Sequence, residues 1–168
     1  MTAALTALEY RVSGLDIKPE RFARAIATLG LDVARCDVET EVVPFEAETF
    51  DALLFNELFE HLRIDPVFTL GEAHRVLKPG GTFMCLEFSR PVNPVFRWLY
   101  DIYSFYAMPF LGQLLAGSAE SYSCLPETIR LFHLPDEMSV ILTRIGFSHV
   151  RYRRLTHGIA VVHVGRKG

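Results

Sequence analysis

Two hydrophobic periods alternate along the first ninety residues. Four short runs read as strands: Arg11 to Ile17 (RVSGLDI), Leu31 to Asp37 (LDVARCD), Phe50 to Asn56 (FDALLFN) and Thr82 to Phe88 (TFMCLEF). The last is apolar almost throughout and lacks period-2 alternation, the pattern of a strand covered on both faces. Helical segments fill the intervals. Thr2 to Tyr10 is rich in Ala and Leu. Glu20 to Leu29 has Pro19 in its first turn and Gly30 as its stop. Glu57 to Leu62 and Pro66 to Leu77 follow the third strand, and in the second of these Leu70, Ala73, His74 and Leu77 fall at helical spacing. Pro79 cannot continue that helix, and Gly80-Gly81 supplies the positive φ that a tight turn needs. Glu39 to Thr49 is a polar connection punctuated by Pro44.

After Ser89 the pattern changes. Pro91, Asn93 and Pro94 mark a loop, and a strongly aromatic segment runs from Phe96 to Phe110. Polar residues follow from Ser118 to Thr128, then a helix from Pro135 to Ile145 that stops at Gly146. The end reads as a hairpin: Phe147 to Leu155, a turn at His157-Gly158, and Ile159 to Gly165. Strand-helix alternation closed by an antiparallel pair implies an α/β fold, a doubly wound sheet with an antiparallel edge. The whole of 1–168 reads as one domain, with 91–130 as a lid-like segment. In such sheets ligands bind beyond the carboxyl ends of the strands, and Glu87-Phe88-Ser89 is one such end.

A chain of 168 residues, half of them apolar, is long enough for a real core. The formal charge of −3, without a Lys/Arg run, gives no electrostatic case for nucleic acid. Cys36, Cys85 and Cys124 are odd in number and two lie in apolar strands, which argues against a disulfide framework and for a reducing compartment. Met1 to Gly14 carries no secretory pattern. No metal-ligand spacing and no nucleophile elbow is present.

Candidate chemistry gathers at strand ends. Asp16 ends the first strand, where a carboxylate could accept hydrogen bonds from ribose hydroxyls or simply cap the next helix. Asp37 ends the second, suited to an exocyclic amine or to a turn. Phe55 and Asn56 end the third. His61, beside Glu60, reads as structural. Seven aromatics in fifteen residues (Phe96, Trp98, Tyr100, Tyr103, Phe105, Tyr106, Phe110) would form either a core helix or a lid over an apolar ligand or a membrane-touching surface. Arg97, Asp101, Pro94 and Pro109 argue against a spanning helix.

Asp16, Asp37, the FDALLFN strand and Arg75-Val76-Leu77-Lys78-Pro79-Gly80-Gly81 together resemble Rossmann-like S-adenosylmethionine-dependent methyltransferases. Arg75 to Ser89 is similar to the signature R-V-L-K-P-G-G-x-F-x-x-L-E-F-S of the ubiquinone/menaquinone biosynthesis C-methyltransferases. The resemblance continues through Asn93-Pro94, Tyr100 to Phe105, Pro109, Leu111-Gly112, Ala116-Gly117, Glu120 to Tyr122, Glu127 to Arg130, Ile145 to Phe147, and Leu155 to Gly158 with His163. His157 departs from it, standing where the family has a small residue. The resemblance implies methyl transfer from S-adenosylmethionine to a ring carbon of a polyprenylated quinol. It places the cofactor at Asp16, Asp37, Val38 and Asn56, and the substrate at Tyr100, Tyr103, Phe105 and Tyr122. Asp101, Tyr103 and Arg130 are the candidates for proton removal and phenolate stabilisation, with no single base chosen.

That family carries a Gly-rich loop about 20 residues before the acid at the end of its second strand. Only fifteen residues precede Asp16, so the expectation is a sheet that lacks its first strand. Arg11 to Ile17 must then pair with Phe50 to Asn56, pair with another chain, or leave edges unpaired. Two alternatives stay open: an inactive remnant binding lipid or quinone or serving as a complex subunit, and a small-molecule methyltransferase of the wider superfamily. The expected partners are an apolar quinol-type molecule, a membrane touched peripherally, and a second copy or a complex; nucleic acid is not among them. The expected location is cytoplasmic, or the mitochondrial matrix side in a eukaryote.

Overall fold

The computed structural model describes residues 2–59, 62, 66–89, 91, 93–103 and 134–168. The chain forms two compact units, Met1–Glu46 and Ala47–Gly168, where the sequence reads as one domain.

The first unit holds helix α1 (Thr2–Ala7), strand β1 (Ser13–Asp16), a 3-10 turn (Pro19–Phe22), helix α2 (Ala23–Leu29) and strand β2 (Asp32–Arg35). Pro19 opens the tighter turn, and Gly30 ends α2 in the left-handed region at φ 59°. β1 and β2 pair in parallel, Ser13 opposite Asp32 through Asp16 opposite Arg35. This is one βαβ unit, and the carboxyl ends of both strands face the same way.

The second unit holds β3 (Phe50–Asn56), α3 (Pro66–Val76), β4 (Leu77–Phe88), α4 (Pro94–Ile102), α5 (Pro135–Ile145), β5 (Phe147–Leu155) and β6 (Ala160–Lys167). Its sheet has the order β3-β4-β6-β5. β3 and β4 are parallel, whereas β6 runs antiparallel to both β4 and β5, so the expected antiparallel edge is present. Within its own unit β1 pairs with β2, and within the other β3 pairs with β4.

The Lys-Pro-Gly-Gly turn lies within β4. Leu77 already pairs with Phe50, and pairing resumes with Thr82 opposite Ala52. The residues between bulge out, with Gly80 at φ 75°. From there β4 alternates. Phe83, Cys85 and Glu87 are buried on one face, while Met84 on the other is 38% exposed. The expectation of a strand covered on both faces therefore fails, because apolar composition hides an asymmetry that only packing reveals. The core gathers Phe59, Leu70, Ala73, Leu77, Phe83, Cys85, Met138, Leu142 and Phe147. Phe83 packs edge-on against Phe55 and tilted against Phe147, both with ring centroids 5.1 Å away.

Candidate functional site

In the second unit two turns meet at the carboxyl end of β4. On one side lies the turn after β3. Glu57 takes φ 52°, its N–H donates to Leu86 O at 2.9 Å, and the N–H groups of Leu58 and Phe59 donate to Glu87 Oε1 at 2.9 and 3.2 Å. The segment read as a helix from Glu57 is thus held to β4 at its start, and Leu62 N–H donates to Phe59 O at 3.2 Å; residues 60 and 61 lie outside the described residues. On the other side Ser89 N–H donates to Ile159 O at 2.7 Å, which brings the Thr156–Gly158 turn between β5 and β6 to the same end. His157 sits in the left-handed region at φ 56° and stacks on Phe96 of α4, ring centroids 4.7 Å apart.

α4 begins with a well-made cap. The Asn93 side chain accepts from Val95 N–H at 2.9 Å and Phe96 N–H at 3.3 Å, Pro94 fills the first position, and Arg97 Nε donates to Pro91 O. No residue of α4 is buried, with Val95 66% and Trp98 62% exposed. A core helix would not look like this, so the described part of the aromatic segment is a surface element. Tyr100, Asp101 and Tyr103 lie on it or at its end. Phe105, Tyr122 and Arg130 lie outside the described residues, as does His61.

In the first unit Asp16 and Asp37 stand at one end, after adjacent parallel strands, with Cys36 N–H bonded to Asp16 O at 3.0 Å. Each carboxylate is already used locally. Asp16 Oδ1 accepts from Lys18 N–H at 2.6 Å, ahead of the 3-10 turn. Asp37 accepts from Glu39 N–H at 3.1 Å and from the Thr40 hydroxyl at 2.9 Å, closing a turn. Val38 is next in this turn, half-buried. Asn56 belongs to the second unit and is exposed at the end of β3.

Two buried polar groups, Glu87 and His163, are given no role of their own by the sequence. Glu87 is 2% exposed; burial raises its carboxyl above the ordinary range, and the bonds from Leu58, Phe59 and Cys85 draw it part-way back. Burial also drives the neighbouring Cys85 thiol far up, with the Glu87 charge adding to the effect. His163, also 2% exposed, contacts Pro135 O through Nε2 at 3.1 Å, and burial lowers its pKa. A charged residue within TFMCLEF was the available signal for Glu87, since an acid inside an apolar strand requires a partner. Among the described residues no cluster of three His, Cys, Asp or Glu could hold a metal ion, and no helix is long and apolar enough to cross a membrane.

This arrangement of parallel strands and an antiparallel hairpin has known counterparts. The model of the ubiE/COQ5 methyltransferase family matches residues 7–167. The chain belongs to that family. Its relatives include the ubiquinone/menaquinone biosynthesis C-methyltransferase UbiE of Bartonella bacilliformis, 44% identical over 98% of this chain and 62% of that protein. The UbiE of Brucella anthropi is 39% identical with the same coverage. The chain thus spans about three-fifths of the length of these relatives. Among solved structures, an S-adenosylmethionine-dependent methyltransferase of Thermotoga maritima superposes with a TM-score of 0.67 at 20% identity, over 99% of this chain and 78% of that one. The methyltransferase SibL gives a TM-score of 0.66 at 18% identity, over 98% of this chain and 46% of that one. These likenesses establish the fold as that of the Rossmann-like methyltransferases.

Proposed function

We propose that this chain acts as an S-adenosylmethionine-dependent C-methyltransferase on a polyprenylated quinol of ubiquinone or menaquinone biosynthesis, its two units working as one methyltransferase-like domain. Family membership over residues 7–167 carries the reading. The acceptor set fits the methyl donor. Ribose hydroxyls and the adenine amine are hydrogen-bond donors, and Asp16 and Asp37 are paired acceptors at adjacent strand ends. A carboxylate has roughly four lone-pair sites, so the local bonds at each leave capacity. In this reading Asp16 holds the ribose, Asp37 and Val38 the adenine, and Asn56 faces the ligand from β3. The cofactor, when bound, supplies an already activated methyl group.

The protein's task is then to align the ring carbon, exclude water and manage one proton. The ring carbon becomes nucleophilic as a ring hydroxyl shares its proton, and a second proton leaves the carbon after transfer. Asp101 and Tyr103 are assigned to these proton movements and Arg130 to phenolate stabilisation. Tyr100, Tyr103, Phe105 and Tyr122 are assigned to the quinol. The exposed apolar side chains of α4 suit a prenyl tail, and with it a cytoplasmic protein that meets the membrane from outside. The test is transfer of a labelled methyl group to a short-chain quinol, with the product located by mass spectrometry. Ring C-methylation supports the reading. Cofactor binding without it would point to another small-molecule substrate.

A further inference from the structure

Glu87 has a burial that packing alone does not explain. Its carboxylate lies on the core face of β4 beyond Phe83 and Cys85, where an apolar side chain of the same size would be the simpler filling. Its contacts are directional. Oε1 accepts from Leu58 N–H and Phe59 N–H, across 29 and 28 residues, and lies 3.5 Å from Cys85 Sγ, while Oε2 has no hydrogen-bond partner among the described residues. Both N–H groups belong to the turn that leaves β3 immediately after Asn56, and the first residue of that turn, Glu57, is held in a left-handed conformation uncommon for a non-glycine residue. β4 thus grips the turn twice, through Leu86 O by its backbone and through Glu87 by its side chain.

We propose that Glu87 is a positioning residue: it fixes the Glu57–Phe59 turn and so sets where Asn56 and the adjoining backbone meet the methyl donor. This rests on the methyltransferase reading above. A carboxylate suits the role because one oxygen can accept two convergent N–H groups.

The test compares Glu87→Gln, which keeps a carbonyl acceptor, with Glu87→Met, which fills the space without one. In Glu87→Met, amide exchange at Leu58 and Phe59 should speed up about tenfold or more while Phe83 and Cys85 stay protected, and affinity for S-adenosylhomocysteine should fall about tenfold. Glu87→Gln should restore both. Unchanged exchange at Leu58 and Phe59 in Glu87→Met, or binding equal to that of the unsubstituted chain, would overturn the proposal while leaving the methyltransferase reading intact. Failure of the unsubstituted chain to bind S-adenosylhomocysteine would instead remove that reading, and this proposal with it. If Glu87→Met does not fold, the unsubstituted chain still decides. The amide shifts of Leu58 and Phe59 should move together with one midpoint as pH is varied, and flat shifts would refute the contact.

Discussion

Substituting the two turn glycines of β4 separates steric from conformational demands at the element that sets the core register. A Cβ at Gly81 would lie 2.8 Å from Leu77 Cγ and 2.8 Å from Lys78 O. Comfortable carbon contacts begin near 3.5 Å. Leu77 is fully buried and the other clashing atom is backbone, so neither can swing aside. Gly81→Ala should therefore destabilise by about 3 kcal/mol, the upper end for overpacking. Gly80 has φ 75° and nothing within 4 Å of the added atom. Gly80→Ala should cost only the left-handed backbone penalty, about 1 kcal/mol, and Gly80→Asn less, because Asn tolerates that region. Urea denaturation followed by circular dichroism gives the three values, with thermal midpoints falling roughly 2–4 °C per kcal/mol. The register argument predicts that Gly81→Ala also loosens the Phe83 and Cys85 amides, since shifting β4 by one residue would turn its core face outward. A Gly81→Ala variant as stable as Gly80→Ala would refute the steric account.

Phe83→Ala, removing a fully buried ring between Phe55 and Phe147, should cost about 3–5 kcal/mol by denaturant titration. Cys85 should resist thiol reagents in the native state and react only on unfolding, because burial and Glu87 suppress its thiolate; rapid native labelling at Cys85 by peptide mapping would contradict this. His163 and Glu87 should bend the pH-stability curve in opposite senses. Burial lowers the His163 pKa, so the unfolded chain takes up its proton first and stability is lost as pH falls below about 6.5. Burial raises the Glu87 pKa, so its contribution is full below about 4.3 and declines as pH rises toward the folded value. Denaturation series across pH should show His163→Gln flattening the acid loss and Glu87→Gln flattening the loss on the alkaline side.

The elements that proved legible are those whose boundaries are written in single residues. Gly30 ends α2 and Gly146 ends α5, each with positive φ, and Phe50 to Asn56 forms β3 as the sequence reads it. The Asn93-Pro94 pair opens α4 for the reason its residue types suggest. Elements decided by distant partners were harder to read. The hold of Glu87 on the turn after β3 spans about thirty residues, and no local pattern announces it. The sidedness of β4 is masked because Met84, Leu86 and Phe88 are apolar even though their face is less covered. At the candidate site, Asp16 and Asp37 are legible as acids at or just beyond strand ends, and the local bonds that the structure shows are the cap-like and turn readings that the sequence offered for them. His157 could be read only as an oddity, since its meeting with Phe96 depends on how the hairpin and α4 fold together.

The central claim is that this chain binds S-adenosylmethionine through its strand-end acids. Calorimetric titration with the cofactor tests it most directly. The account predicts saturable one-site binding that weakens about tenfold or more in Asp16→Asn and in Asp37→Asn, the loss expected for a hydrogen bond to a charged acceptor. No heat and no thermal shift at millimolar cofactor, or binding indifferent to both substitutions, would contradict it.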